Sequence, residues 1–465
     1  MQLYNSLTRS KEQFTPQNAG QVGFYACGPT VYHYAHLGNL RAYVFMDVLH
    51  RILRYAGYEV NLVVNITDVG HLTDDADQGE DKMEKGALRE GKSVWEIAEH
   101  YTNAFMHDVE SLNIKQPNVW CKATDHIEQQ IALIKRIEEN GFTYTTSDGV
   151  YFDTSKLPDY GKLIAGFNKE ELQAGKRVAM GEKWNATDFA LWKFSPEDEQ
   201  RQMEWDSPWG KGFPGWHIEC TAMGCHYLGE QFDIHTGGID HIPVHHTNEI
   251  AQAQGAFGRD HVRFWLHNEF LVTDGEKMAK STGEFLRLAS ILEQGYCALD
   301  YRYFCLLTHY RKPLTFTWQA LSAARAARER LTQRVAQLKE QATPAGDPSA
   351  LRLSFQSRFA QAIYDDVNTP QALGVVHELF KSECSDAEKL ALLLDWDSVL
   401  GLGFSSATLP EISVPKHVQA LVDAREAARS SKDWARADAL RAEIEAHGFS
   451  VSDTASGPLV FDQKS

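Results

Sequence analysis

Two short motifs in this sequence carry residue types suited to handling phosphate. His36-Leu37-Gly38-Asn39 lies where a predicted strand gives way to a predicted helix. A glycine among small polar groups at a helix N-terminus lets a nucleotide approach the backbone, where the N–H groups and the dipole favour negative charge. Lys277-Met278-Ala279-Lys280-Ser281 follows Asp274-Gly275 in a predicted loop. Its two lysines can neutralise charge that grows during phosphoryl or nucleotidyl transfer. His245 and Glu249 are four apart in the helical stretch 245–252, so both side chains share one face. Cys27 ends a predicted strand, and Cys220 closes Trp216-His217-Ile218-Glu219-Cys220. Two thiolates, an imidazole and a carboxylate suit Zn²⁺, but these four fit no compact zinc-finger spacing. Read singly, each cysteine fits a small core residue, and His245 fits a surface or satisfied core histidine, at least as well.

The elements that must position these residues follow from periodicity. Residues 21–27 read as a buried strand with Val22, Phe24 and Ala26 inward. Leu40, Val44, Phe45, Val48, Leu49, Ile52 and Leu53 form an apolar stripe at helical spacing that stops near Gly57. A second strand spans 59–67. Strand, helix and strand over this length predict a βαβ unit and a parallel sheet, whose ligands sit at the strand carboxyl ends, where Cys27 and Thr67 fall. The charged stretch 79–92 reads as an exposed loop. Helices are expected over 95–112 and 125–139, with a hairpin at 144–152 turning on Ser147-Asp148-Gly149. The sheet is expected to resume near 232–235 and again at 270–272. From Tyr301 the pattern is helical, including 318–341, and Thr343–Pro348 breaks it with two prolines and a glycine. Residues 405–415 read as a linker.

The predicted fold class is α/β: a Rossmann-type parallel-sheet catalytic domain with an insertion, then a helical bundle and a small α+β module. The predicted boundaries are 1–115 with 206–285 for the split sheet domain and 116–205 for the insertion. A stem-contact and helical region covers 286–404, and 416–465 is the terminal module.

Composition bounds the function. The chain has 465 residues, 43% hydrophobic and 23% charged, which fits a soluble globular protein of several domains. No run of about 18 apolar residues predicts a membrane span, and the N-terminus lacks a signal-peptide core. Seven cysteines, odd in number and irregularly spaced, predict reduced thiols and a cytoplasmic location. The net charge of −17 counts against indiscriminate nucleic-acid binding, though not against local basic patches.

The two phosphate motifs, in this order, resemble the signatures of class I aminoacyl-tRNA synthetases. Tyr25-Ala26-Cys27-Gly28-Pro29-Thr30-Val31-Tyr32 leading into His36–Asn39 resembles the cysteinyl-tRNA synthetases in particular. So do Pro214–Cys220, His235-Thr236-Gly237-Gly238-Ile239-Asp240 and His245–Glu249, and the likeness runs nearly the whole chain. The resemblance implies one zinc held by Cys27, Cys220, His245 and Glu249 that contacts the substrate thiol. It implies a pocket lined by Trp216, Thr67, His235 and Asp240. ATP, carried with Mg²⁺, would meet His36, Gly38, Asn39, Lys277 and Lys280, of which His36, Asn39 and the two lysines are the implied catalytic groups. The neighbouring His33, His71, His217, His241 and His246 are expected in structural or peripheral roles. Arg429, Trp434, Asp438 and Asp453 match the family's anticodon-reading segment, with an amphipathic terminal helix as the rival reading. The chain departs from the commonest pattern at Asn39 (often histidine), Ala279 (often serine) and Thr236 (often glycine), none of which removes a charge or a metal ligand.

The expected activity is ATP-dependent formation of cysteinyl-adenylate and transfer of cysteine to the 3′ end of tRNA(Cys), by a monomer rather than a dimer and without a membrane partner. Two alternatives remain at this level: a related ligase delivering cysteine to an amino-sugar, and a non-catalytic RNA- or nucleotide-binding paralogue. The basic, aromatic segment 302–312 suits either RNA contact or packing under the active site.

Overall fold

Five strands form a wholly parallel sheet: β1 (Gln21–Ala26), β2 (Glu59–Ile66), β3 (Val119–Lys122), β4 (Phe232–Gly238) and β5 (Val262–Asn268). Their spatial order is β5-β4-β1-β2-β3. The order reverses between β1 and β4, which is the doubly wound arrangement with its ligand crevice at that switch point. Near-continuous apolar runs such as Leu62-Val63-Val64 in β2 are what a sheet covered on both faces requires. The computed structural model describes residues 1–70, 82–164, 182–196, 201–273, 276–277, 286–341, 347–409, 414–454 and 457–462.

Helix α1 (Leu37–Tyr55) follows β1 and buries the predicted stripe from Leu40 to Leu53. It stops where Gly57 takes φ +88°, a conformation open to glycine at a helix C-terminus. Two further helices complete the site. Helix α2 (Trp216–Leu228) precedes β4, and α3 (His245–Phe257) links β4 to β5. Tyr25, Val63, Met223, Phe232, Ile250 and Trp265 form the core between sheet and helices.

The interruption of the sheet starts later than the composition suggests. β3 lies within 116–205 yet pairs with β2, and a four-stranded antiparallel sheet then runs from Thr143 to Pro214. Strand Leu271–Thr273, expected in the parallel sheet, instead joins Glu276–Lys277 and Leu314–Phe316. The parallel sheet continues through β5, whose alternation of Arg263 and His267 with Phe264 and Leu266 hides a buried strand. The expected loop over 79–92 contains a helix, Lys82–Glu90, because Met83 and Ala87 give it one narrow buried stripe against Ile97 and Tyr101.

The chain divides into two compact units. The first comprises Met1–Arg325, Ala360–Leu373 and Val399–Leu402 and holds the parallel sheet. The second comprises Ala326–Phe359, Gly374–Ser398 and Gly403–Ser465. It is helical up to a terminal module of two helices, α4 (Lys416–Ser430) and α5 (Trp434–Ala446), and the hairpin Phe449–Thr454 with Gly457–Asp462. Val418, Val422, Ile444 and Val451 form that module's core. No helix among the described residues is long and apolar enough to cross a membrane.

Candidate active site and metal centre

His36 caps α1 in an unusual way. Its Nδ1 accepts from the Asn39 N–H at 3.1 Å, and the Asn39 Oδ1 accepts from the His36 N–H at 3.2 Å. This is a reciprocal capping box built from histidine and asparagine. Because Nδ1 is the acceptor, the neutral ring carries its proton on Nε2. Gly38 is required by the same geometry, since a Cβ there would lie 2.9 Å from His36 Cε1. The spacing of the motif is thus a local structural requirement as well as a chemical one.

The described segments on either side of the second motif lie beside the first. Lys277 pairs through its backbone with Val272, and Leu271 Cβ lies 3.8 Å from where a Gly38 Cβ would stand. Downstream, the Leu37 N–H donates to the Leu286 carbonyl at 2.8 Å, and Arg287 bridges to His36. The Arg287 guanidinium also rests 4.5 Å from the Tyr34 ring centre. Lys280 and Ser281 lie outside the described residues, as does the side chain of Lys277.

Four donors from three elements converge at the switch point. Cys27 directly follows β1, and its N–H donates to the Thr236 carbonyl of β4 at 3.1 Å. Cys220 projects from α2; His245 and Glu249 project from α3. Their Sγ, N and O atoms all lie within 4.8 Å of one another, with Cys220, His245 and Glu249 buried and Cys27 half-buried. Glu249 Oε1 is buried without a hydrogen bond, although His245 Nε2 stands 3.2 Å away. A buried carboxylate oxygen left open toward two thiols and an imidazole fits a divalent, thiophilic cation. The donor set is compatible with zinc.

The electrostatics are consistent with such a centre. Contact with Cys27, together with burial, raises the Cys220 thiol well above its ordinary range, and burial raises Cys27. Burial alone would lower the His245 imidazole, but Cys220 and Glu249 beside it raise it to about 10. Burial would also raise the Glu249 carboxyl, yet the neighbouring His235 holds it well below the usual carboxylate range. The group therefore prefers to have positive charge at its centre.

The expected pocket residues fall at different depths. Trp216 is half-buried, its ring 5.0 Å from that of His245. Thr67 is buried and donates to Glu219 Oε2 at 3.0 Å. Asp240 is exposed, and its Oδ1 would sit 2.3 Å from any Cβ at residue 238. His235 is fully buried, with Nε2 3.2 Å from Glu249 Oε2.

Two of the histidines expected in structural or peripheral roles touch the donors, which makes them structural. His246 Nε2 lies 3.3 Å from Cys27 Sγ, and His217 Nδ1 lies 3.0 Å from His245 Nδ1. His246 with Cys27, His235 and Glu249 even makes a second cluster of donor atoms within 4.8 Å. The available signal was position: His246 adjoins His245, and His217 lies three residues before Cys220.

The segment 302–312 resolves toward packing. Arg302 is fully buried on Asp47, and Tyr310 donates its hydroxyl to Asp366 at 2.7 Å. In the terminal module, Arg429 pairs with Asp453 at 3.0 Å and lies 5.7 Å from the ring centre of Trp434, which is 56% exposed. Asp438, four residues beyond Trp434 on α5, is also exposed.

Comparison with known proteins agrees with this architecture. The model for the class I (C) tRNA synthetase catalytic domain matches residues 13–326. The models for the cysteinyl-tRNA ligase anticodon binding domain and the DALR domain match 413–457 and 358–383. Cysteine–tRNA ligase 1 of Burkholderia lata is 52% identical over 462 residues, covering 99% of this chain and 96% of its own. Cysteine–tRNA ligase of Novosphingobium aromaticivorans is 48% identical, covering 100% and 97%. A solved structure, methionyl-tRNA synthetase of Mycobacterium tuberculosis with methionyl-adenylate, superposes with TM-score 0.57 at 16% identity, covering 84% of this chain and 92% of that one, a likeness of fold. With matches along its full length, the chain belongs to the cysteine–tRNA ligase family of class I aminoacyl-tRNA synthetases.

Proposed function

We propose that this chain activates L-cysteine with ATP and passes it to the 3′ end of tRNA(Cys), selecting its substrate by the thiol at a zinc ion held by Cys27, Cys220, His245 and Glu249. The observation that carries this reading is the convergence of those four donors at the carboxyl ends of β1 and β4, beside the His36 cap of α1.

Zinc, when bound, supplies a soft Lewis-acid position that takes a thiol as thiolate and leaves a hydroxyl poorly bound. Serine differs from cysteine by one atom, and a pocket of shape alone separates such pairs by only about 1–3 kcal/mol. Selection by ligand chemistry removes the need for a second hydrolytic site.

The chain's own residues do the rest. Trp216 packs over the bound amino acid while Thr67 and Asp240 offer polar contacts. The N-terminus of α1 and the Nε2–H of His36 receive the ATP phosphates, with Asn39 holding that ring in place. ATP arrives with Mg²⁺. The cysteine carboxylate attacks the α-phosphate, the bond to the β-phosphate breaks and pyrophosphate leaves. Lys277 and Lys280 neutralise the charge that grows on the phosphates. The terminal ribose hydroxyl of tRNA then attacks the adenylate carbonyl and AMP leaves. No side-chain nucleophile is needed; positioning and charge stabilisation carry the reaction. Arg429, Trp434, Asp438 and Asp453 read unpaired anticodon bases by stacking and hydrogen bonding.

The test is charging of tRNA(Cys) by the full chain with cysteine, against an amino-sugar acceptor. Cysteine esterified to tRNA is the expected product. Cysteine joined to the sugar and absent from tRNA would refute the reading.

A further inference from the structure

The metal donors and the amino-acid pocket share one polar side chain that carries no role so far. Asn65, near the end of β2, is 1% exposed. Its Oδ1 accepts from the Gly28 N–H at 2.7 Å, and Gly28 directly follows Cys27. The same oxygen accepts from Cys220 Sγ at 3.8 Å. Its Nδ2 donates to Thr67 Oγ1 at 3.0 Å, and that hydroxyl donates onward to Glu219 Oε2 at 3.0 Å. Glu219 precedes Cys220 in α2, so the network closes on itself.

The contacts set the amide's orientation. A backbone N–H can only donate, so the oxygen end must face Gly28 and the nitrogen end must face Thr67. Thr67 then accepts from Asn65, which commits its proton to Glu219. The fit to the Cys27 turn is equally tight. A Cβ at residue 28 would lie 1.5 Å from the Asn65 carbonyl oxygen, so only glycine lets the two backbones meet.

We infer that Asn65 is a positioning residue whose acceptor end holds the Gly28 N–H, and with it the turn that carries the Cys27 donor, and whose donor end holds the Thr67 hydroxyl. Metal geometry and amino-acid binding are thereby tied to a single amide. Groups that orient metal ligands from behind typically change metal affinity by about 10–100-fold when removed. This role rests on the metal reading above.

The experiment titrates the metal-stripped full chain with Co²⁺, reading thiolate-to-cobalt absorption, and measures KM for cysteine and for ATP in pyrophosphate exchange. Asn65→Ala loses both ends; it should weaken Co²⁺ about 10–100-fold and raise KM for cysteine with KM for ATP unchanged. Asn65→Asp keeps the acceptor and loses the donor. It should hold Co²⁺ within about threefold of the parent while raising KM for cysteine about tenfold, the worth of one hydrogen bond. A merely structural role would not separate the two constants. If Asn65→Ala does not fold, the separation in Asn65→Asp decides alone. Co²⁺ affinity and cysteine KM both unchanged in a folded Asn65→Ala, or both altered in step in Asn65→Asp, would overturn the assignment. A parent chain that takes up no Co²⁺ would instead overturn the metal reading on which it rests.

Discussion

At the residue scale, the His36–Asn39 box explains why four positions carry a motif. Asn39 serves the helix and the imidazole together, so Asn39→Ala, which removes the hydrogen bond to the His36 N–H, should cost about 0.5–1.5 kcal/mol of stability and slow adenylate formation. Gly38→Ala should slow it further, because the added methyl displaces the His36 ring while leaving helix propensity improved. Pyrophosphate exchange alongside urea unfolding checks both; an undiminished exchange rate in Gly38→Ala would contradict the role given to that ring. Cys220→Ser should lose zinc and cysteine activation together, measured by metal analysis and exchange on one sample. Much of this site was legible: the nucleotide motif, the shared face of His245 and Glu249, and Cys27 at a strand end. The partners behind the donors were not. Eleven of the thirteen residues of α3 are buried, so no apolar periodicity distinguishes the face that carries His246 and Glu249 from the rest. Asn65 sits in a strand with both faces covered, where a buried amide looks like any other interruption of an apolar run.

At the scale of elements, α1 carries the proposed nucleotide site, and it is held from outside its own turn. The Tyr301 hydroxyl donates to the Leu37 carbonyl at 2.6 Å, and Asp47 accepts from Arg51 Nε at 2.7 Å and an Arg302 nitrogen at 2.5 Å. Arg302 also donates to the carbonyls of Leu112 and Leu400. Removing Arg302 leaves Asp47 with Arg51 as its one charged partner and takes the donor from the Leu112 and Leu400 carbonyls, so Arg302→Leu should destabilise by about 3 kcal/mol, read as a shift in denaturation midpoint. A loss under about 1 kcal/mol would mean that solvent relieves the charge. The basic residues of this segment suggested RNA contact because sequence shows charge but not the buried carboxylate opposite it.

His50, on the same helix, offers a pH test. Burial lowers its imidazole to about 4, and neither ring nitrogen has a hydrogen-bond partner. Between pH 6.5 and 4 the unfolded chain takes up a proton that the folded chain refuses. Stability contributed by this group is therefore complete above pH 6.5 and falls with acidification, by at most about 1.4 kcal/mol per pH unit. His50→Gln should flatten that acid limb in urea midpoints measured from pH 7 to 5; an unchanged slope would contradict a neutral buried ring.

At the scale of the whole molecule, composition conceals the RNA partner. A chain with net charge −17 has no broad positive field, and the proposed recognition of tRNA accordingly falls to small local surfaces such as Arg429 beside Trp434. Trp434→Ala should reduce charging of tRNA(Cys) about tenfold, toward the lower end of what one lost base stack is worth, while cysteine-dependent pyrophosphate exchange stays unchanged. A fall in both would place that tryptophan in folding rather than in reading RNA. The α/β class, the switch from sheet to helices and the terminal α+β module were all legible from periodicity and breakers. The exact course of the parallel sheet was not, because β3 and β5 are short or alternating strands that only their neighbours identify.

The central claim is that a metal chosen for thiolate selects the substrate. Its most direct measurement is pyrophosphate exchange with cysteine and with serine on one sample, before and after the metal is removed and quantified. One zinc per chain, exchange with cysteine but not serine, loss on stripping and recovery with Zn²⁺ are the predicted results. Exchange with cysteine that persists undiminished in metal-free protein would contradict the account.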